Sequence, residues 1–134
     1  MIVVDENIHD QRIIAAISAW YPGRVISITR LRLRSLIKDD AIPALLRKVP
    51  KPTFVTINVA DFWKKIPPDS SYCFVNVALP KERTREIPDL IRRFLRLPEF
   101  RSKASRMGKV VRLTPSRIEY YESDWRIRSL SWPL

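Results

Sequence analysis

Short, wholly apolar runs alternate along this chain with amphipathic stretches, and each apolar run is closed by polar or acidic residues. Ile2 to Val4 is β-branched and ends at Asp5, Glu6 and Asn7, the pattern of a strand buried on both faces with a polar carboxyl end. From Asp10 to Trp20 the apolar positions Ile13, Ile14, Ile17 and Trp20 recur at helical spacing, and Pro22-Gly23 stops the run. Val25, Ile26 and Ile28 predict a second strand. Arg30 to Arg34 alternates Arg with Leu, which reads equally as an edge strand with a basic face or as a loop ending at Ser35. Asp39 and Asp40 precede Ala41 to Leu46, a second helix that either acid can cap and whose first turn accommodates Pro43. Pro50 and Pro52 end it. Thr53 to Ile57 is a further buried strand, followed by a polar corner, Asn58 to Asp61, and Tyr72 to Val77 repeats the strand pattern. Ile87, Leu90, Ile91, Phe94 and Leu95 share one helical face, with Arg85, Arg92, Arg93 and Arg96 on the other. Val110 to Leu113 and Ile118 to Tyr121, joined through Thr114-Pro115-Ser116, predict a terminal hairpin.

Strands alternating with helices, through connections too long for hairpins, predict an α/β fold: a mostly parallel sheet with helices on both faces. In such sheets the functional crevice lies at the carboxyl ends of the strands. With 134 residues the chain has room for one core, taken as a single domain over residues 1–121. The tail 122–134 carries Trp125 and Trp132 and is expected to pack on the domain or on a homodimer mate.

Composition then narrows the chemistry. Two glycines exclude the Gly-rich loops that cradle phosphates. One cysteine, Cys73, and one histidine, His9, cannot make a disulfide or a Cys/His zinc site, so any metal here is held by oxygens. Cys73 lies in Tyr72-Cys73-Phe74-Val75 and reads as a core thiol; His9 reads as a residue at a helix start. The 25 basic against 14 acidic residues give a net charge of +11, a field that draws polyanions, with nucleic acid the default partner. No basic leader precedes a long apolar run, and no apolar stretch is long enough to span a membrane, so a cytoplasmic protein is expected.

Against that charge, the acids stand out. Asp5 leaves the first strand, Asp61 follows the Thr53 to Ile57 strand, Asp39 or Asp40 opens a helix that can approach the same edge, and Glu6 and Asn58 flank the group. Clustered carboxylates repel one another unless a divalent cation neutralises them, and oxygen ligands suit Mg²⁺ or Mn²⁺. Such a site supports phosphodiester hydrolysis. The plainer explanation is that Asp39 or Asp40 caps a helix and Asp61 turns a loop. Arg30, Arg32, Arg34 and Lys38 form a basic stripe leading to the acids, either a path for a phosphate chain or a solvated edge.

Val3-Val4-Asp5-Glu6-Asn7, Asp39 before a short helix, Phe54-Val55-Thr56 leading through Asn58 to Asp61-Phe62, and Val110 to Ile118 together resemble the small, toxin-related PIN-like proteins. The resemblance runs from about Met1 to Tyr121. It implies a three-layer α/β/α fold and a Mg²⁺- or Mn²⁺-dependent ribonuclease of toxin-antitoxin type, paired with a small acidic antitoxin protein. On the matching positions it implies Asp5, Asp39 and Asp61 as catalytic metal ligands, with Glu6, Asn7 and Thr56 beside them. Two positions depart from the pattern. The family's Thr-x-Asp-x-Asp-Phe is here Thr56-Ile57-Asn58-Val59-Ala60-Asp61-Phe62, so an acid is replaced by Asn58, which offers a metal only a neutral carbonyl. The Glu after Asp39 is Asp40, one methylene shorter. A catalytically silent module that binds nucleic acid or an antitoxin is therefore the alternative. A response-regulator receiver also pairs acids after its first strand, but here Asp61 lies four residues past Ile57 and no later strand ends in Lys-Pro.

Overall fold

The computed structural model describes residues 1–8, 10–31 and 39–133. Among them, seven strands form one sheet: β1 (Ile2–Val4), β2 (Val25–Ser27), β3 (Thr53–Thr56), β4 (Cys73–Val77), β5 (Val110–Leu113), β6 (Arg117–Tyr121) and β7 (Arg128–Ser131). Their order is β2-β1-β3-β4-β5-β6-β7. The first five run parallel, and β6 and β7 are added antiparallel. The helices are α1 (Gln11–Ser18), α2 (Ile42–Arg47), α3 (Val59–Phe62), α4 (Ile87–Phe94) and α5 (Lys103–Arg106). The fold is thus α/β on a mostly parallel sheet. No helix among the described residues is long and apolar enough to cross a membrane.

Strand alternation divides the core in two. Ile2, Val4, Val55, Val75, Val77 and Val111 face Ile13 and Ile17 of α1 and Leu90, Ile91 and Phe94 of α4. Val3, Phe54, Phe74 and Val110 face Ile42, Leu45 and Leu46 of α2 and Phe62 of α3. The central strands are buried from end to end, which is why they read as unbroken apolar runs. Because their side chains are committed to packing, the polar residues gather where the strands end.

Several elements differ from the reading of the sequence, each for a local reason. Ile28 belongs to a 3₁₀ turn, Ile28–Arg30, because Ser27 Oγ accepts from the Thr29 N–H and hydroxyl at 3.4 and 2.9 Å and turns the chain out of β2. Neither Asp39 nor Asp40 caps α2: both lie in a 3₁₀ turn, Asp39–Ala41, and the helix begins from Ala41 without a side-chain cap. Pro43 removes one donor from that first turn, which lessens the need for a cap. The Asn58 to Asp61 corner contains the four-residue helix α3. Residues 122–134 include β7, which pairs with β6 from Arg117↔Ser131 to Tyr120↔Arg128. Trp132 Nε1 donates to the Thr114 carbonyl at 2.8 Å, and Trp125 stacks on Tyr121 with centroids 4.9 Å apart.

Phe74 is wholly buried and its ring meets Phe54 at 4.8 Å, Phe62 at 5.2 Å and Tyr72 at 6.2 Å. Phe74→Ala is expected to cost roughly 3–5 kcal/mol in urea-denaturation stability, the sum of lost transfer energy and an unfilled cavity. A loss below about 1 kcal/mol would mean that the α2 side of the core is not packed around this ring.

Candidate functional site

The connection from β1 to β2 carries α1 on one face of the sheet, and the connection from β2 to β3 carries α2 on the other. A crevice therefore opens between the carboxyl ends of the adjacent strands β1 and β3. Asp5 continues β1 into this crevice, its N–H donating to the Val55 carbonyl at 2.9 Å. Its side chain is 4% exposed, and Oδ2 accepts from the Thr56 hydroxyl at 2.6 Å. Thr56 Oγ1 in turn accepts from the Asn58 N–H at 3.0 Å and from Asn7 Nδ2 at 3.4 Å. Asn58 Nδ2 donates to Asp61 Oδ2 at 2.8 Å. A chain of hydrogen bonds thus runs from Asp5 through Thr56 and Asn58 to Asp61, and it joins residues that sequence reading placed separately at two strand ends.

Asp39 reaches the same place from the start of the α2 segment. Although Asp39 is exposed, its carboxyl is held above the usual range first by partial desolvation, then by neighbouring Asp61, and then by the charge of Asp40. Asp5 is raised chiefly by burial, against the opposing pull of the Thr56 hydroxyl and the Glu6 N–H, with Asp39 and Glu6 adding like charge. The acids from three chain segments therefore act on one another electrostatically. Among the described residues, no three His, Cys, Asp or Glu side chains are grouped closely enough to hold one ion as they stand. The donor chemistry nevertheless suits a hard divalent cation: Asp39 and Asp61 are paired carboxylates whose repulsion such an ion would relieve.

Beside the acids lies a cavity of about 610 Å³, lined by Asn7, Asp10, Asn58, Lys81 and Thr84 over an apolar base of Ile8 and Ile57. Asn7 Oδ1 is buried there without a hydrogen-bond partner among the described residues. Orphaned acceptors of this kind are uncommon in native proteins and mark places where a ligand or water completes the set. Lys81 and Thr84 come from the 3₁₀ turn Lys81–Glu86 after β4. The sequence held a usable signal for them, since Pro80 closes the β4 region and carboxyl-end logic applies to every parallel strand.

A polar row also crosses the sheet at this edge. Thr56, Asn76 and Arg112 are consecutive register partners on β3, β4 and β5, and Arg112 faces Glu119 on β6. Arg112 bonds Glu119 at 2.6 Å, while buried Asn76 Oδ1 has no partner among the described residues. Neither residue was singled out from sequence, because each sits inside a run whose other members are apolar. Of the basic stripe, Arg30 is exposed at the end of its 3₁₀ turn; Arg32, Arg34, Lys38 and His9 lie outside the described residues. Cys73 is completely buried, and burial pushes its thiol up to about 12, so it is a core side chain and not a nucleophile.

No family model, no curated protein and no solved structure matches this chain.

The raised pKa of Asp5 has a definite consequence for stability. The folded carboxyl binds its proton more tightly than the unfolded one, so between the unfolded value of 3.8 and the higher folded value the native state carries more protons. Stability falls as pH rises through that window, and the full cost is present above it. Asp5→Asn keeps an acceptor for Thr56 and removes the charge. In EDTA it is expected to raise the melting temperature at neutral pH, with the gain shrinking as pH falls toward 3.8. A variant that melts lower than the parent at neutral pH would show that the buried charge is stabilising.

Proposed function

We propose that the chain is a PIN-like protein that hydrolyses RNA phosphodiesters at the carboxyl edge of β1 and β3, with Mg²⁺ or Mn²⁺ as cofactor. The observation that carries this reading is the hydrogen-bonded chain from Asp5 through Thr56 and Asn58 to Asp61 in a strongly basic protein, with Asp39, raised first by desolvation and then by Asp61 and Asp40, beside it. The strand order is common to other doubly wound folds, so the proposal rests on the acids and not on topology. Helices against both faces and the antiparallel β5–β6 pair are compatible with the three-layer arrangement and terminal hairpin of the PIN-like pattern.

In this reading Asp5, Asp39 and Asp61 would hold the ion, with Asp40 and Asn58 completing the donor set. Such an ion, when bound, would supply an activated water and stabilise charge developing on the phosphate. Thr56 fixes the rotamer of Asp5, and Asn58 fixes Asp61. Lys81, lining the cavity beside them, holds a phosphate oxygen, while Arg30 and its neighbours Arg32, Arg34 and Lys38 receive the flanking backbone. Glu6 and Asn7 shape the wall on the β1 side.

The alternative, a silent module that binds RNA or a small acidic antitoxin, draws on Asn58, which bonds Asp61 as a neutral donor where the family has an acid. Cleavage of an unstructured RNA separates the two. With Mn²⁺ the parent chain is expected to cut, EDTA to stop it, and Asp5→Asn to lower the rate by about 100-fold or more. Asn58→Asp adds charge next to Asp61 and is expected to tighten Mn²⁺ binding and raise the rate. Activity that survives both EDTA and Asp5→Asn would overturn the metal mechanism; no cleavage by any variant, with RNA still bound, would establish the silent module.

A further inference from the structure

At the opposite, amino edge of the sheet lies a second cavity of about 440 Å³, and unlike the first, whose lining holds one acid and one cation, it is wholly basic. Five cations line it and no acid does: Arg92, Arg96, Arg101, Lys103 and Arg106. They come from α4, the segment after it, and α5. Cations at the ends of α4 and the four-residue α5 suit the helix dipoles, but that does not account for Arg101 or for the convergence of both helix ends on one space.

Arg106 makes the site more than a solvated patch. It is 4% exposed, and its guanidinium is fixed by neutral oxygens only: Thr53 Oγ1 at 3.1 Å, the Phe100 carbonyl at 3.0 Å and the Arg101 carbonyl at 3.1 Å. Among the described residues none of the five cations forms a salt bridge. A buried cation held without a counter-charge is costly, and like charges around one cavity add to that cost. An anion placed between them removes both penalties.

The other wall is aromatic. Trp20 and Tyr21, which follow α1, line the cavity, with the Arg92 guanidinium 5.8 Å from the Trp20 ring centroid. Forked guanidinium donors match phosphate oxygens, and an aromatic ring beside them offers a stacking face for a base. We propose that this cavity binds a nucleotide, its phosphate among the arginines and its base against Trp20. Thr53, bonded to Arg106, opens β3, whereas Thr56, bonded to Asp5, ends it. The two sites are thus separated by the strand, on the order of 10 Å, and this one does not depend on the acids being catalytic.

The test uses the full ¹⁵N-labelled chain in EDTA at low salt, titrated separately with inorganic phosphate, adenosine monophosphate and a nuclease-resistant 2′-O-methyl hexanucleotide. Adenosine monophosphate, the hexanucleotide or both are expected to shift the Trp20 indole and amides between residues 92 and 106. They should bind at least about tenfold more tightly than inorganic phosphate. Arg96 and Arg101 are exposed, so the double variant R96E/R101E should fold normally, melt as the parent does and lose about tenfold or more in affinity. Asp5→Asn should bind unchanged, which separates this site from the crevice. Preference for the monophosphate identifies a free nucleotide as the ligand and preference for the hexanucleotide identifies a strand; both uphold the site. Equal binding of inorganic phosphate, shifts confined to Asn58, Lys81 and Thr84, or full affinity in R96E/R101E would each overturn it.

Discussion

The hydrogen bond from Thr56 to Asp5 joins residues 51 positions apart at 2.6 Å, closed to solvent. It exists only because β1 lies parallel to β3 in the register Val4↔Val55. Sliding either strand by one residue would turn Thr56 to the other face and leave a desolvated carboxylate without its donor. The apolar packing of Val3 and Phe54 on one side and of Val4 and Val55 on the other prevents that slip. Core packing and crevice chemistry are therefore enforced by the same register. Through Thr56 the constraint passes to Asn58 and then to Asp61, so the position of an acid on α3 is set by the pairing of two strands.

Much of this was legible in the sequence because it depended on local patterns. Ile2 to Val4 and Thr53 to Ile57 read as buried strands since both of their faces are covered, and the acids that close them mark the carboxyl edge. The α4 helix was legible from Ile87, Leu90, Ile91 and Phe94, all buried in the structure. What escaped was structure set by long-range partners or by single hydrogen bonds. β7 has only Leu130 as an apolar member and is a strand because β6 offers it an edge. Ile28 fits a strand pattern until Ser27 bonds Thr29. Asn76 and Arg112 form a polar row only once three strands are laid in register. The convergence on the amino edge was equally hidden, because Trp20 and Arg106 are distant in sequence.

The net charge of +11 conceals a division. Acids that repel one another occupy the ends of β1 and β3, while cations that repel one another ring the space beneath the start of β3. Each cluster is kept together by the backbone at a cost that a bound ion of opposite sign would offset. The parallel sheet makes the separation durable, since every strand from β1 to β5 points from the basic edge toward the acidic one.

The open edges of the sheet bear on how copies of the chain meet. Among the described residues one edge is β2, three residues long; the other is β7, four residues long and followed after Trp132 by Pro133, which has no N–H to offer. A strand from another molecule would gain few ladder bonds at either margin, and the proline stops the ladder from lengthening. The described margins of the sheet are thereby ill suited to merge edge to edge with another strand.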